Sequence, residues 1–285
     1  MRCLMNQIKE MGYLCHIDDN GYITNESDLK NVGTEFRRAL HSIQDYLLSF
    51  LPKEIHSIYI RGSVPRGLGI EGVSDIDVLV ITHFKPENLT LDWVEKAEKE
   101  INKENSSLNG VELGFYHLNE VMESKYFFII SFMLKTHSIC IYGKDLRPSL
   151  PNYKAGHALA NDHIIKIRSQ IDSAKSDLEG NEDVEDIKDC CIWIMKLIVR
   201  CGLALVIIDE GTYTRDLYPA YKLFSRHYPQ KKKEMRQALE FAINPSLNPR
   251  ELLPFLDTFG GWMVRKADDW LNVHNPTEIK NLPVV

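Results

Sequence analysis

The chain has 285 residues, of which 44% are hydrophobic and 26% are charged, a composition typical of a folded protein with an apolar core. Its net charge of −6 argues against a general nucleic-acid binder, which carries a basic face. No apolar run approaches the roughly 18 residues of a membrane span, and the N-terminus lacks an apolar signal core, so we expect a cytoplasmic protein. The six cysteines show no CxxC spacing and indicate reduced thiols.

The first part of the chain alternates between helical and strand patterns. Residues 1–26 indicate a short helix followed by a hairpin around Asp19-Asn20-Gly21. From residue 27 apolar side chains recur every three to four positions until Pro52, which predicts a helix. Two strands are expected next, at residues 55–60 and 75–82, joined by a glycine-rich loop.

The pattern changes after Pro148 and Pro151. Before them we expect a helix at 91–104, a strand at 111–117, a helix at 119–134 and a strand at 138–142. After them only helical periodicity remains, over about residues 153–178, 184–208, 215–227, 231–243 and 249–272. The sequence therefore predicts an α+β protein, with a small mixed-sheet domain over residues 1–148 and an all-helical bundle domain over 149–285.

Two carboxylates follow the glycine-rich loop at alternate positions of a strand. Asp75 and Asp77 point to the same face, about 7 Å apart along the chain. Carboxylate oxygens are the ligands that magnesium prefers. The preceding turn contains Gly62, whose backbone can approach an anion closely, and Ser63, whose hydroxyl can donate to one. This combination predicts a place for a cation beside a place for phosphate groups.

A third acid is expected on a neighbouring strand. Glu112 fits because it lies in the remaining strand-like segment that contains an acid. At an effective dielectric constant of 20, two like charges about 4 Å apart repel by roughly 4 kcal/mol. Three converging carboxylates therefore predict a bound cation, or an arginine or lysine that takes its place.

These residues resemble a known family. Gly62-Ser63-x-x-Arg66-Gly67, followed by Ser74-Asp75-Ile76-Asp77, resembles the nucleotidyltransferases of the DNA polymerase beta superfamily, with Glu112 matching the third carboxylate. The resemblance covers about residues 58–117. More loosely, the helical half with Gly211-Thr-Tyr-Thr-Arg-Asp216 is similar to the C-terminal domain of the adenylyltransferases that act on streptomycin and spectinomycin.

The resemblance implies a role for each matching residue. Asp75, Asp77 and Glu112 would hold two magnesium ions, or Glu112 would act as the base instead of binding metal. Gly62, Ser63 and Arg66 would contact the phosphates of ATP or another nucleoside triphosphate. The nucleotide is expected between the two domains, with Arg215 reaching the triphosphate. Lys196 and Arg200 are rivals for that last role.

Several of these residues also have a purely structural explanation. Arg61 and Arg66 would equally serve as structural ion-pair partners of Asp75 or Glu71, and the role of Glu71 stays unassigned. Arg215 would equally be a surface residue near a helix start, and Lys196 a surface lysine. Five acids lie near the start of a predicted helix: Glu182, Asp183, Glu185, Asp186 and Asp189. They would suit a cleft that binds a cationic acceptor, but the preference of acids for a helix N-terminus, together with solvation, explains them better.

The sequence as a whole indicates a magnesium-dependent nucleotidyltransferase. It is expected to transfer a nucleoside monophosphate, AMP in the first instance, to an acceptor hydroxyl and to release pyrophosphate. The acceptor is open between an aminoglycoside or other small molecule and a partner protein. The alternative is a non-catalytic nucleotide-binding regulator of the antitoxin type, against which the three intact acids count.

Overall fold

The computed structural model describes residues 10–284. They pack as two compact units, one formed by residues 24–153 with Val284, the other by residues 10–23 with 154–283. We call them the sheet unit and the helical unit. The α+β class is confirmed. The predicted helix before residue 10 lies outside the described residues.

The sheet unit is built on four strands: β1 (Ile55–Arg61), β2 (Asp75–Thr82), β3 (Gly110–His117) and β4 (Ser138–Gly143). Their order across the sheet is β3-β2-β1-β4. Strand β1 is antiparallel to both of its neighbours, whereas β2 and β3 are parallel. A parallel pair needs a crossover connection, and a helix between β2 and β3 provides it. The predicted mixed sheet is confirmed.

Each face of the sheet covers its own apolar core. Along β2, Ile76, Val78 and Val80 belong to one cluster, whereas Leu79 and Ile81 belong to another. The first cluster is completed by helices α1 (Thr34–Phe50) and α2 (Val94–Glu104). This alternation follows from the two-residue repeat of a strand, which sends successive side chains to opposite faces. Both faces of β2 are therefore buried over most of its length, and its charged residues are confined to its first three positions.

The segment after β3 differs from the expected single helix at 119–134. It forms two helices, α3 (Leu118–Val121) and α4 (Ile129–His137), separated by residues 122–128. The residue before α4 is extended, with φ −129° and ψ 122°. The Ser131 hydroxyl donates to the Val121 carbonyl at 2.6 Å, and Phe127 packs edge-on against Tyr153. Over residues 122–128, contacts made by side chains therefore take the place of the backbone hydrogen bonds of a continuous helix.

The helical unit has eight helices within residues 154–283. They are α5 (His157–Ile164), α6 (Ile167–Leu178), α7 (Val184–Ala204), α8 (Ile207–Glu210), α9 (Leu217–His227), α10 (Lys232–Ile243), α11 (Pro249–Phe255) and α12 (Gly261–His274). The predicted helices at 153–178 and 184–208 are each divided in two. A π-helical turn, Leu256–Gly260, joins α11 to α12 just after Pro254. No helix within residues 10–284 is long and apolar enough to span a membrane.

Residues 10–23 pack with the helical unit, whereas the predicted boundary at 148/149 groups them with the sheet domain. The Cys15 amide donates to the Tyr213 carbonyl at 2.8 Å, and the Thr214 hydroxyl donates to the Tyr13 carbonyl at 2.7 Å. The turn expected at residues 19–21 is present, and an isolated antiparallel bridge between Ile17 and Ile23 closes it. These pairings between distant segments leave no local signal in the sequence.

Candidate active site

Three carboxylates lie at one end of the parallel strand pair. In the register of β2 and β3, Asp75 is opposite Gly110 and Asp77 is opposite Glu112. Side chains at alternate positions of a strand share a face, and so do those of residues in register on neighbouring strands. The structure therefore brings the three predicted acids to the same face of the sheet, on two adjacent strands.

The acids lie where the apolar cover of this face ends. Leu79 and Ile81, further along the same face of β2, are buried in the second core cluster. Asp75 is exposed and Asp77 is partly buried. Ionised carboxylates at this position keep contact with water and avoid the desolvation cost of a fully buried charge.

The glycine-serine turn passes directly beside Asp77. Gly62 has a backbone φ angle of +100°, which residues with a side chain rarely adopt. A Cβ atom at this position would lie 3.4 Å from the Asp77 Oδ2 atom. The absence of a side chain therefore keeps the space next to this carboxylate open. Ser63 follows and precedes a short 3-10 turn, Val64–Arg66, that contains the predicted phosphate ligand Arg66.

Two serines fix the loop between the turn and β2. The Ser63 hydroxyl donates to the Ser74 hydroxyl oxygen at 3.1 Å, and the Ile70 amide donates to the same Ser74 oxygen at 2.9 Å. The Gly72 amide donates to the Ser107 carbonyl at 2.9 Å. The loop is thus held at both ends. Ser74 thus braces the loop by accepting both hydrogen bonds, a role that its position in the sequence does not reveal. Glu71 is exposed in the loop.

Arg61 forms an ion pair with one of the predicted metal ligands. It is the residue opposite Asp77 in the register of β1 and β2, and its Nη1 atom lies 3.0 Å from Asp77 Oδ2. The side chains are 18% and 21% exposed, respectively. Asp77 was not one of the two partners, Asp75 and Glu71, that were weighed from the sequence.

Tyr116 is a further residue at the site, and sequence reasoning did not select it. It lies four positions after Glu112 on β3, on the same face. Its ring folds back over Gly114, where a Cβ atom would lie 2.8 Å from the tyrosine hydroxyl. Burial raises the pKa of Tyr116; Arg61 lowers this pKa, whereas Glu112 and Asp77 raise it. The spacing Glu-x-Gly-x-Tyr is the signal that would have identified it.

The donor set has the chemistry that a magnesium site requires. Asp75, Asp77 and Glu112 supply hard carboxylate oxygens, and the turn at Gly62 leaves one side of Asp77 uncovered. Over residues 10–284, no three acidic, histidine or cysteine side chains are already arranged to hold an ion. The residues fit magnesium by chemistry and by shared face, and their role as ligands stays a prediction.

Two of the candidate triphosphate ligands in the helical unit lie near one histidine. Arg215 is in the segment between α8 and α9, and Arg200 is on α7. Both lower the pKa of His163, although burial is the larger cause; Asp162 opposes them. Lys196, the third candidate, is on α7 and partly buried. The contact of any of them with a triphosphate stays a prediction.

His163 provides a prediction about stability. Burial, with Arg200 and Arg215, lowers its pKa to about 4 from 6.5, so its neutral form is favoured in the folded state. The resulting stability is complete above pH 6.5 and is lost as the pH falls towards 4. A shift of this size corresponds to about 3 kcal/mol of unfolding free energy.

Urea unfolding at pH 7.5, 5.5 and 4 measures this effect. We expect the His163→Gln variant to lose less stability than the wild type between pH 7.5 and 4. His41→Gln is the matched control, because His41 is exposed. Equal pH dependence in all three proteins would contradict the assignment.

The acidic run near residue 183 has a structural explanation. Asp183 is the N-cap of α7, and its Oδ1 atom accepts the amides of Glu185 and Asp186 at 3.0 and 3.1 Å. Negative charge near a helix N-terminus interacts favourably with the helix dipole. The helix-start interpretation thus accounts for Asp183, Glu185 and Asp186.

Comparison with known proteins decides the identity of the sheet unit. Residues 40–140 match the family model described as a nucleotidyltransferase domain. The chain contains a nucleotidyltransferase domain. The match covers β1, β2 and β3, and with them Gly62, Ser63, Asp75, Asp77 and Glu112. The nucleotidyltransferase domain is thus an enzyme domain of the class that the sequence predicted.

Among solved structures, the chain is similar to spectinomycin adenyltransferase AAD(9) from Enterococcus faecialis, whose structure contains ATP and spectinomycin. The two are 16% identical, with a TM-score of 0.47, and the similarity covers 81% of this chain and 99% of that one. No curated protein sequence matches the chain.

Proposed function

We propose that the protein is a magnesium-dependent nucleotidyltransferase that transfers AMP from ATP to a hydroxyl group of a small acceptor, with release of pyrophosphate. One observation carries the proposal. Within the nucleotidyltransferase domain, Asp77 and Glu112 are in register on parallel strands, with Asp75 on the same face. A domain that only bound a nucleotide has no use for three carboxylates on one face beside a glycine-serine turn.

Each residue of the sheet unit has a proposed task. Asp75 and Asp77 hold the cation, and Glu112 completes its ligands or accepts the proton of the acceptor hydroxyl. Magnesium bound there would neutralise charge on the phosphates and would so favour displacement at phosphorus. Gly62 leaves room for phosphate beside Asp77, and the backbone amide of Ser63 and the side chain of Arg66 donate to phosphate oxygens.

The residues of the helical unit have a proposed share in the same reaction. Arg215, Arg200 and Lys196 are cations that can bind the triphosphate. Arg215 leads because the sequence motif that resembles the adenylyltransferases contains it. The test replaces Arg215, Arg200 and Lys196 with Gln, one at a time, and measures the ATP affinity of each variant. The residue whose replacement weakens ATP binding most is the one that binds the triphosphate.

A labelling experiment tests the reaction. The protein is incubated with magnesium and ATP labelled either at the α- or at the γ-phosphate, together with acceptors that include spectinomycin and streptomycin. We expect α-label in the acceptor, γ-label in pyrophosphate only, and no transfer in the presence of EDTA. Transfer of γ-label to the acceptor indicates a kinase instead. Absence of any transfer and of any metal-dependent ATP binding contradicts the proposal.

The same experiment separates the acceptor classes. Spectinomycin and streptomycin are included because the sequence resemblance implies acceptors of that kind. Addition of a cell extract, followed by gel electrophoresis, detects α-label on a protein. If a protein band carries label and the small molecules carry none, the acceptor is a protein and not a small molecule.

A further inference from the structure

One predicted metal ligand already has a cationic partner from its own chain. Arg61 Nη1 is 3.0 Å from Asp77 Oδ2, and it is the same oxygen that lies nearest to the open space above Gly62. Both side chains are about one fifth exposed, so the pair is only partly screened by water. A charge-assisted hydrogen bond in such a place is stronger than one at the surface.

The strand register makes this contact a property of the fold. Arg61 is the last residue of β1, and Asp77 is its partner on β2. The residue after Arg61 is Gly62, at which the chain leaves the sheet with φ +100°. The guanidinium group is therefore held next to the turn that we propose receives the phosphates, and next to the carboxylate that we propose receives the cation.

We propose that Arg61 couples metal binding to nucleotide binding, by occupying Asp77 until a triphosphate arrives. This inference rests on the proposed function. A divalent cation that binds the nucleotide-free protein must compete with the guanidinium group for the Asp77 oxygen. A triphosphate offers the guanidinium group other oxygens, so the competition ends when the nucleotide is bound. Arg61 is thus a positioning residue that makes the protein bind metal and nucleotide together.

The proposal predicts opposite effects with and without nucleotide. In Arg61→Gln, we expect Mn²⁺ to bind the nucleotide-free protein at least about tenfold more tightly than it binds the wild type. With a non-hydrolysable ATP analogue present, Mn²⁺ affinity should stay the same or fall, because the variant lacks a phosphate partner. The factor by which the analogue tightens Mn²⁺ binding should therefore shrink at least tenfold. Electron paramagnetic resonance of free Mn²⁺ measures these affinities without any catalysis.

Three further proteins make the experiment decisive. Arg61→Lys keeps the charge and should retain most of the coupling. Arg147→Gln removes one positive charge from a pair with Asp145 in the same unit, and should leave the coupling unchanged. Asp77→Asn should lose tight Mn²⁺ binding in either state. Circular dichroism and the melting temperature confirm that each variant is folded.

The outcomes separate this inference from the proposed function. If the wild type binds Mn²⁺ more tightly with the analogue, but Arg61→Gln shows the same coupling, Arg61 is a structural ion-pair partner and the inference alone is wrong. If Arg61→Gln binds Mn²⁺ more weakly in both states, the inference is likewise overturned. If the wild type shows no Mn²⁺ binding in either state, the proposed metal site fails and the inference falls with it.

Discussion

Replacement of Asp77 with Asn should lower the rate of nucleotidyl transfer by on the order of 10³-fold. The substitution keeps the size of the side chain and removes one negative charge. Metal-bound carboxylates support several kcal/mol of transition-state stabilisation, and each 1.36 kcal/mol corresponds to a factor of ten in rate. The measurement is pyrophosphate release at saturating ATP and magnesium, with the apparent magnesium affinity determined in parallel.

The fold should survive this change. Asp77 is partly buried near the start of β2, before the unbroken run of buried positions from Val78 to Thr82. Asp77 forms an ion pair with Arg61, and the loss of a partly exposed ion pair costs about 1 kcal/mol. The melting temperature should therefore fall by only a few degrees. Asp92→Asn is the matched control, because Asp92 is an exposed acid of the same unit. Full activity in Asp77→Asn would remove this residue from the site.

Predictions from sequence were most accurate where the local pattern alone determines the structure. Strand β2 begins and ends at the expected residues, Asp75 and Thr82, because apolar side chains on both faces of its body must be buried. Glu112 was placed by a similar argument, since its segment is the one other strand pattern that contains an acid. A parallel register then brings it opposite Asp77.

Features that depend on pairing between distant segments were not predicted. Arg61 and Asp77 are 16 positions apart, and only the register of an antiparallel pair brings them together. Cys15 and Tyr213, whose backbones are joined by a hydrogen bond, are likewise far apart along the chain. In each case the information lies in a tertiary contact rather than in a run of residues.

The division of the predicted helix at 119–134 has the same origin. Its apolar residues are compatible with one continuous helix, but Phe127 packs against Tyr153 and the hydroxyl of Ser131 donates to Val121. These contacts stabilise an extended stretch of backbone that periodicity does not reveal. Tertiary packing thus outweighs local helical preference here.

Replacement of Glu112 with Gln should reduce transfer by about 10²- to 10⁴-fold, the range that general acid–base catalysis contributes. Glu112 is exposed on β3, opposite Asp77, so the change should leave the melting temperature almost unaltered. Glu87→Gln is a suitable control, because Glu87 is an exposed acid of the same unit. Activity equal to the wild type would exclude Glu112 from the reaction.

The two proposed roles of Glu112 lead to different binding data. A base acts only on the acceptor hydroxyl, so its loss should lower kcat and leave Mn²⁺ and nucleotide affinities unchanged. A ligand holds the cation before any reaction, so its loss should also weaken Mn²⁺ binding in the presence of a non-hydrolysable ATP analogue. Glu112→Asp gives a second test, because a shortened ligand still supplies a carboxylate to the cation. If Glu112→Asp and Glu112→Gln both bind Mn²⁺ as tightly as the wild type but have a lower kcat, the position of the carboxylate relative to the acceptor matters, and this favours the base.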